Sequence, residues 1–178
     1  MNKKKLLWYF TGAFIILAVV ALDQISKELV LAYLKDKEAV SIIPGVVSLD
    51  CVEPNTGMAW GMLKDHRWIF LSVSTVAILS FSAIYFLIKE QHILFRISAG
   101  FVIGGGIGNM IDRLFRPNGG VIDFIRTDFM DFPVFNVADS FVTVGAVMLL
   151  VYFLFLDSKQ AKPLLFDDKK KTEVKGDE

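Results

Sequence analysis

The sequence predicts an all-α integral membrane protein in which four transmembrane helices are joined by outer loops that include a small extracytoplasmic β region. Three observations lead there. Of 178 residues, 54% are apolar and 21% charged, with a mean hydropathy of +0.52, a balance too apolar for an ordinary soluble domain. The apolar residues gather in four charge-free runs, 6–22, 68–88, 97–111 and 140–156, close to the roughly 17 to 25 residues that a helix needs to cross hydrocarbon. Ionisable residues stand at the ends of these runs and not in their middles.

The first run follows Lys3, Lys4 and Lys5 and ends in Val19-Val20-Ala21, features shared with a cleaved signal peptide. Its apolar stretch exceeds the usual core of roughly 7 to 15 residues, and three further runs commit the chain to the membrane in any case. The third run is short. It reaches spanning length when residues 93–95 join it and Arg96 snorkels to the interface.

Basic residues set the orientation. Lys3 to Lys5, the 89–96 turn and the tail with Lys159, Lys162 and Lys169 to Lys171 fall on one side, which predicts that both termini are cytoplasmic. The opposite side holds loops 23–67 and 112–139, with eight Lys or Arg against twelve Asp or Glu. Residues 1–158 then form one four-span domain, and 159–178 read as a charged, disordered tail.

In the first outer loop, Val47, Leu49 and Cys51 alternate with Ser48 and Asp50, a period of two that predicts a short half-buried strand. Pro54-Asn55-Thr56-Gly57 ends it. In the second, the turn Pro117-Asn118-Gly119-Gly120 precedes Phe124, Phe129, Phe132 and Phe135 interleaved with acids. Rings toward lipid and carboxylates toward water are expected of such a segment at headgroup level.

A zero net charge and two histidines argue against a nucleic-acid binder and a histidine-rich metal protein, and the single Cys51 cannot form an internal disulfide. His66 and His92 fall on opposite sides of the predicted membrane, so a shared metal is not expected. Ser26 and Lys27 are adjacent and do not face one another on a helix, which weakens a Ser/Lys hydrolase. Cys51 with His66 is allowed by sidedness, yet a lone cysteine in an alternating strand is usually a small buried hydrophobe.

Acids instead collect at one edge. Asp23, Asp112 and Asp139 mark the outer ends of three spans, and Asp123 lies between the last two. Each alone reads as a helix cap or a structural ion pair. Asp112, however, continues the stripe Gly100, Gly104, Gly108, a small face on which another helix packs closely, and so is expected to point inward beside Asn109 and Arg113. Asn136 is placed to cap the fourth helix three residues before Asp139. The helix N-terminus favours an ionised Asp139, and burial among aromatics favours a neutral Asp123. Where two such groups meet, repulsion leaves one shared proton, which makes an acid and a base of the kind aspartic proteases use.

Five blocks then become specific together: Asp23-Gln24-Ile25-Ser26-Lys27; Asn55-Thr56-Gly57-Met58-Ala59-Trp60; Gly105-Gly106-Ile107-Gly108-Asn109-Met110-Ile111-Asp112-Arg113; Gly120-Val121-Ile122-Asp123-Phe124; and Phe135-Asn136-Val137-Ala138-Asp139. In this order the chain resembles the lipoprotein signal peptidases, or signal peptidase II, over nearly everything but the tail. Trp60 stands where an aromatic, often Phe, is expected. The resemblance implies an aspartyl endopeptidase of the bacterial cytoplasmic (inner) membrane that cuts prolipoproteins just before a diacylglyceryl-modified cysteine. It implies Asp123 and Asp139 as the catalytic pair. It also implies that Asp23, Lys27, Asn55, Gly57, Trp60, Asn109, Asp112, Arg113 and Asn136 shape the site and hold substrate. No metal or other cofactor is expected. The partners expected are lipidated precursors, membrane lipids and the inhibitor globomycin, with the enzyme a monomer.

Two other readings use the same residues. A small transporter or proton pathway would place its ionisable groups nearer the midplane. A scaffold dimerising on the glycine stripe leaves the clustered Asp and Asn residues without a role.

Overall fold

The computed structural model describes residues 3–56, 67–87 and 92–157. Its four helices are α1 (Lys3–Tyr33), α2 (Arg67–Leu87), α3 (Ile93–Phe115) and α4 (Val137–Val151), the last continued by a wider π-type turn over Tyr152–Asp157. Three short strands, β1 (Val40–Ile43), β2 (Val47–Leu49) and β3 (Ile125–Thr127), form an antiparallel sheet in the order β1-β2-β3. Helix α3 packs against the other three. By length and composition, α3 with 23 residues and α4 with its continuation, 20 residues, can each cross a membrane.

The first helix does not end where its apolar run ends. It continues eleven residues beyond Leu22 to Tyr33, so the block from Asp23 to Lys27 is helical and not part of a loop. No Gly or Pro interrupts the chain between Gly12 and Pro44. Asp23 and Lys27, one turn apart, pair at 2.8 Å, so the charges that read as a membrane boundary neutralise each other inside the bundle. Just beyond the helix, Asp36 adopts φ 60°, a left-handed conformation that Asp tolerates better than most residues.

Helix α3 starts at Ile93, as expected if Arg96 is accommodated. His92 caps it through Nδ1, which accepts from the Leu94 N–H at 3.2 Å. Arg96 donates to the Thr11 hydroxyl at 3.0 Å and lies 5.1 Å from the Trp8 ring centroid, so its charge is spent against α1. Nearby, Tyr85, Phe95, Ala99, Leu149 and Tyr152 form the apolar core at this end of the bundle.

The glycine stripe packs helices within the chain. A Cβ on Gly100 would meet Ile15, one on Gly104 would meet Val19, and one on Gly108 would lie 2.6 Å from the Asp23 carboxylate. Gly105 faces the other way, where a Cβ would come within 2.5 Å of the Ala138 carbonyl oxygen and 2.8 Å of Val142. Small residues on two faces of α3 therefore let α1 and α4 both approach its backbone.

Two expectations for the outer loops are corrected. In β2 the fully buried residue is Ser48, with Val47 and Leu49 only half-buried, because the Ser48 hydroxyl is covered and bonded by Asp128 at 2.8 Å. In the aromatic segment, Phe124 points into a core with Val30 and Ile122 and not toward lipid, and Ile125–Thr127 pairs as β3. Phe129 and Phe132 do remain exposed, and Phe135 is held by two backbone bonds to Ile125.

Gly105→Ala is expected to destabilise the protein by overpacking of about 1–3 kcal/mol, whereas Gly106→Ala should be tolerated because its Cβ would meet only the Ile78 side chain, at 3.2 Å. Melting of the two purified variants in detergent checks this; equal midpoints would contradict the tight α3–α4 approach.

Candidate active site

The buried polar residues cluster where α1, the last turns of α3, the start of α4 and the segment between α3 and β3 come together. Asp23, Lys27, Asp112 and Asn136 have no exposed surface, and Asp123 is 5% exposed. Such groups are tolerated only when their charges and hydrogen bonds are met.

They are met by one another. The Lys27 ammonium donates to Asp23 Oδ2 at 2.8 Å and to Asn109 Oδ1 at 3.0 Å, and pairs with Asp112 Oδ2 at 2.8 Å. The other oxygen of Asp23 accepts from the Ala138 N–H at 3.0 Å in the first turn of α4, a favourable place for a carboxylate. Asp112 Oδ1 accepts from Arg116 Nε at 2.8 Å, and its Oδ2 takes the Ile122 N–H at 3.3 Å. Arg116 reaches on to Glu28 at 2.8 Å, and Gln24 donates to both Asp23 and Asp112. One charged cluster thus ties α1, α3, α4 and the 120–124 segment together.

The two candidate catalytic carboxyls hang from this cluster. Asn136 caps α4 through a reciprocal box: its side-chain oxygen accepts from the Asp139 N–H at 2.9 Å, and its own N–H donates to Asp139 Oδ2 at 3.2 Å. The same Asn136 side chain donates to Asp123 Oδ1 at 2.7 Å, so a single residue holds both acids. Asn109 donates to Asp139 Oδ1 at 2.7 Å, and Asn55 donates to Asp123 Oδ2 at 3.0 Å. Asn55 is positioned by a two-bond bridge to Val121, two residues before Asp123, with Gly120 packed so closely on Pro54 that a Cβ there would clash. Arg113 lies near enough for its charge to act with those of Asp139, Asp123 and Asp112.

Burial pushes the Asp123 carboxyl up to about 6; the Asn55 and Asn136 donors and the Lys27 charge hold it down, and the Asp139 charge raises it further. Near pH 6 such a pair shares one proton between two carboxyls, an acid and a base within reach of one reacting group.

Of the residues singled out in the sequence, the fold brings together Asp23, Lys27, Asn55, Asn109, Asp112, Arg113, Asp123, Asn136 and Asp139. Gly57 and Trp60 lie outside the described residues. Sequence reasoning passed over Gln24 and Arg116 as members of the cluster. The spacing of Arg116 four residues after Asp112 on one helix was the available signal.

A family model described as "Signal peptidase (SPase) II" matches residues 15–155. A lipoprotein signal peptidase of Streptococcus pyogenes serotype M2 is 42% identical over 138 residues, 76% of this chain and 88% of that protein. One from Symbiobacterium thermophilum is 41% identical over 151 residues, 82% of this chain and 96% of that protein. Among solved structures, a bacterial membrane enzyme determined at 2.3 Å superposes with a TM-score of 0.72 at 29% identity, covering 86% of this chain and 92% of its own.

Asp123 should titrate near pH 6. Asn55→Ala removes a donor that favours its carboxylate form, so the midpoint should move higher. Infrared titration of the protonated-carboxyl band, assigned by its loss in Asp123→Asn, checks both; a midpoint in the ordinary carboxylate range, unmoved in Asn55→Ala, would contradict this description.

Proposed function

The chain belongs to the signal peptidase II family, and from that premise we propose that it removes signal peptides from prolipoproteins by aspartyl chemistry carried by Asp123 and Asp139. The observation that carries the reading is Asn136, which bonds both carboxyls at once and fixes their separation. One carboxylate takes a proton from water as it attacks the scissile carbonyl. The other, protonated, donates to the developing oxyanion, and the proton taken from water then passes to the leaving amine.

The remaining assignments follow from the same reading. Residues 1–158 are one domain in which α1 and α2 also span the bilayer, both termini face the cytoplasm, and the carboxyl pair opens toward the outer face of the bacterial cytoplasmic membrane. Residues 159–178 are a charged tail, and the enzyme works as a monomer among lipids. The substrate's signal peptide is an apolar helix and its diacylglyceryl cysteine is anchored at the interface, so two acyl chains bring the scissile bond to the depth of Asp123 and Asp139. Holding reactants at that depth is itself part of the rate enhancement. Exposed apolar side chains on α1, among them Phe10, Phe14 and Leu17, suit contact with lipid tails or with the signal helix. Asn55 and Arg113, which lie beside the carboxyl pair, engage substrate, the 57–60 block joins them on its sequence motif alone, and Asp23, Lys27 and Asp112 support the site from beneath.

Asp123→Asn and Asp139→Asn should each lower the single-turnover rate on a lipidated precursor by about 10³-fold or more, with the double variant little worse than either single. Wild-type-like cleavage by either would exclude the pair. The lipidated precursor should be cut far faster than its unlipidated form, and globomycin should compete with it. Equal rates on both precursors, with no effect of globomycin, would contradict the substrate assignment even if both aspartates proved essential.

A further inference from the structure

Lys27 is itself fully buried, and beyond its two ion pairs it donates to Asn109, a contact that ordinary ion pairing does not explain. An ammonium has three donors and no acceptor. The atom of Asn109 that faces Lys27 must therefore be its carbonyl oxygen, and this oxygen also accepts from Asn136 at 3.0 Å. With its oxygen pinned between two donors, the Asn109 amide can turn only its NH2 group toward Asp139 Oδ1, at 2.7 Å. The second oxygen of Asp139 faces the main-chain N–H of Asn136, which is likewise a donor and nothing else. Both oxygens of Asp139 thus meet donors whose direction cannot be reversed.

Asp123 is held differently. Its Oδ1 meets the NH2 of Asn136, whose carbonyl oxygen is committed to the Asp139 N–H. Among the described residues its Oδ2 meets the Asn55 side chain, which comes from the separate segment bridged to Val121 and not from the Lys27 cluster. Of the four carboxyl oxygens, Asp123 Oδ2 is the one whose partner is oriented by neither Lys27 nor the backbone of the α4 cap.

We propose that Lys27 is a positioning residue for the reaction: acting through Asn109, it holds Asp139 as the ionised general base and leaves the proton of the pair on Asp123, the general acid. Atoms balance on that assignment. Water loses a proton to Asp139 as its oxygen bonds to the scissile carbon; the Asp123 proton passes to the carbonyl oxygen. As the C–N bond breaks, the proton on Asp139 goes to the departing amine, and the hydroxyl proton of the tetrahedral intermediate returns to Asp123. The other charged group near Asp139 is Arg113, whose charge acts on Asp139 first and on Asp123 and Asp112 after it, so it favours the same assignment by direct attraction and not through an oriented amide. Lys27 acts on both through space, but its one hydrogen-bonded path by way of a single amide leads to Asp139.

This inference rests on the aspartyl reading above, and the test separates the two. The measurement is the pH dependence of the single-turnover rate on a lipidated precursor, whose acid limb reports ionisation of the base and whose alkaline limb reports loss of the acid's proton. Asn109→Ala removes the donor to Asp139 and leaves the Lys27 ion pairs in place. Losing a bond to the charged form raises the pKa of the base, so the acid limb should move up by about one pH unit while the alkaline limb moves far less. Lys27→Met combined with Asp23→Asn, which leaves Asp112 paired with Arg116, should shift the same limb in the same direction; Lys27→Gln with Asp23→Asn is a closer match in shape. Glu28→Gln, at the exposed end of the cluster, should leave both limbs in place. A purely structural role for Lys27 would lower the amount of active enzyme without moving either limb. An acid limb unmoved in Asn109→Ala, or a shift confined to the alkaline limb, overturns the proposal however the Lys27 variants fold. Wild-type turnover in Asp139→Asn would instead remove the aspartyl reading itself.

Discussion

An ammonium group sealed from solvent holds the chemical end of this bundle together. Lys27 on α1 lies between the carboxylates of Asp23 and Asp112 at 2.8 Å each, and Asp23 extends the contact to the first turn of α4. An isolated charge in such a place would be prohibitively costly. Removing one partner of a buried pair typically costs about 3–5 kcal/mol, because the remaining charge is left uncompensated. The cluster is therefore less a source of stability than a constraint: α1, α3 and α4 must meet in one register, or several buried charges go unmet. Gly108 reinforces the constraint, since any side chain there would displace the Asp23 carboxylate.

The candidate catalytic carboxyls inherit their positions from that register. Asp139 is fixed because it is the third residue of a capped helix whose first turn rests on Asp23. Asp123 is fixed because its segment is bonded on both sides, to Asn55 through Val121 and to Asp112 through the Ile122 N–H. Three asparagines, 55, 109 and 136, supply neutral donors between the charged cluster and the pair. Neutral amides suit this task. They stabilise carboxylate without adding a net charge that would hold both acids ionised, which is compatible with the raised Asp123 carboxyl.

Much of this was legible in the sequence where local rules decide the outcome. The Asn136 cap, the inward direction of Asp112 and the glycine stripe follow from helical spacing, and the packing bears each of them out. The length of α1 was not legible from hydropathy, because a charged residue reads as a membrane boundary until its partner is known. Asp23 and Lys27 neutralise each other in place, and Asp112 comes from a helix more than eighty residues away. Ser48 was buried against expectation because Asp128, across the sheet, satisfies its hydroxyl. Phe124 turned inward for a related reason: Val30, near the unforeseen end of α1, supplies the apolar surface it covers. These departures come from contacts between segments distant in sequence, which no local period encodes. The five motif blocks, by contrast, carried the family directly, and the match over residues 15–155 agrees with them.

In the proposed mechanism the two carboxyls activate water directly, with no covalent intermediate on the protein. Cleavage of a lipidated precursor under single-turnover conditions in ¹⁸O-enriched water, with hydroxylamine present as a competing nucleophile, tests it most directly. Direct attack predicts one labelled oxygen in the new carboxyl end of the released signal peptide and no hydroxamate. Trapping of the signal peptide as a hydroxamate would show an acyl-enzyme and contradict the account.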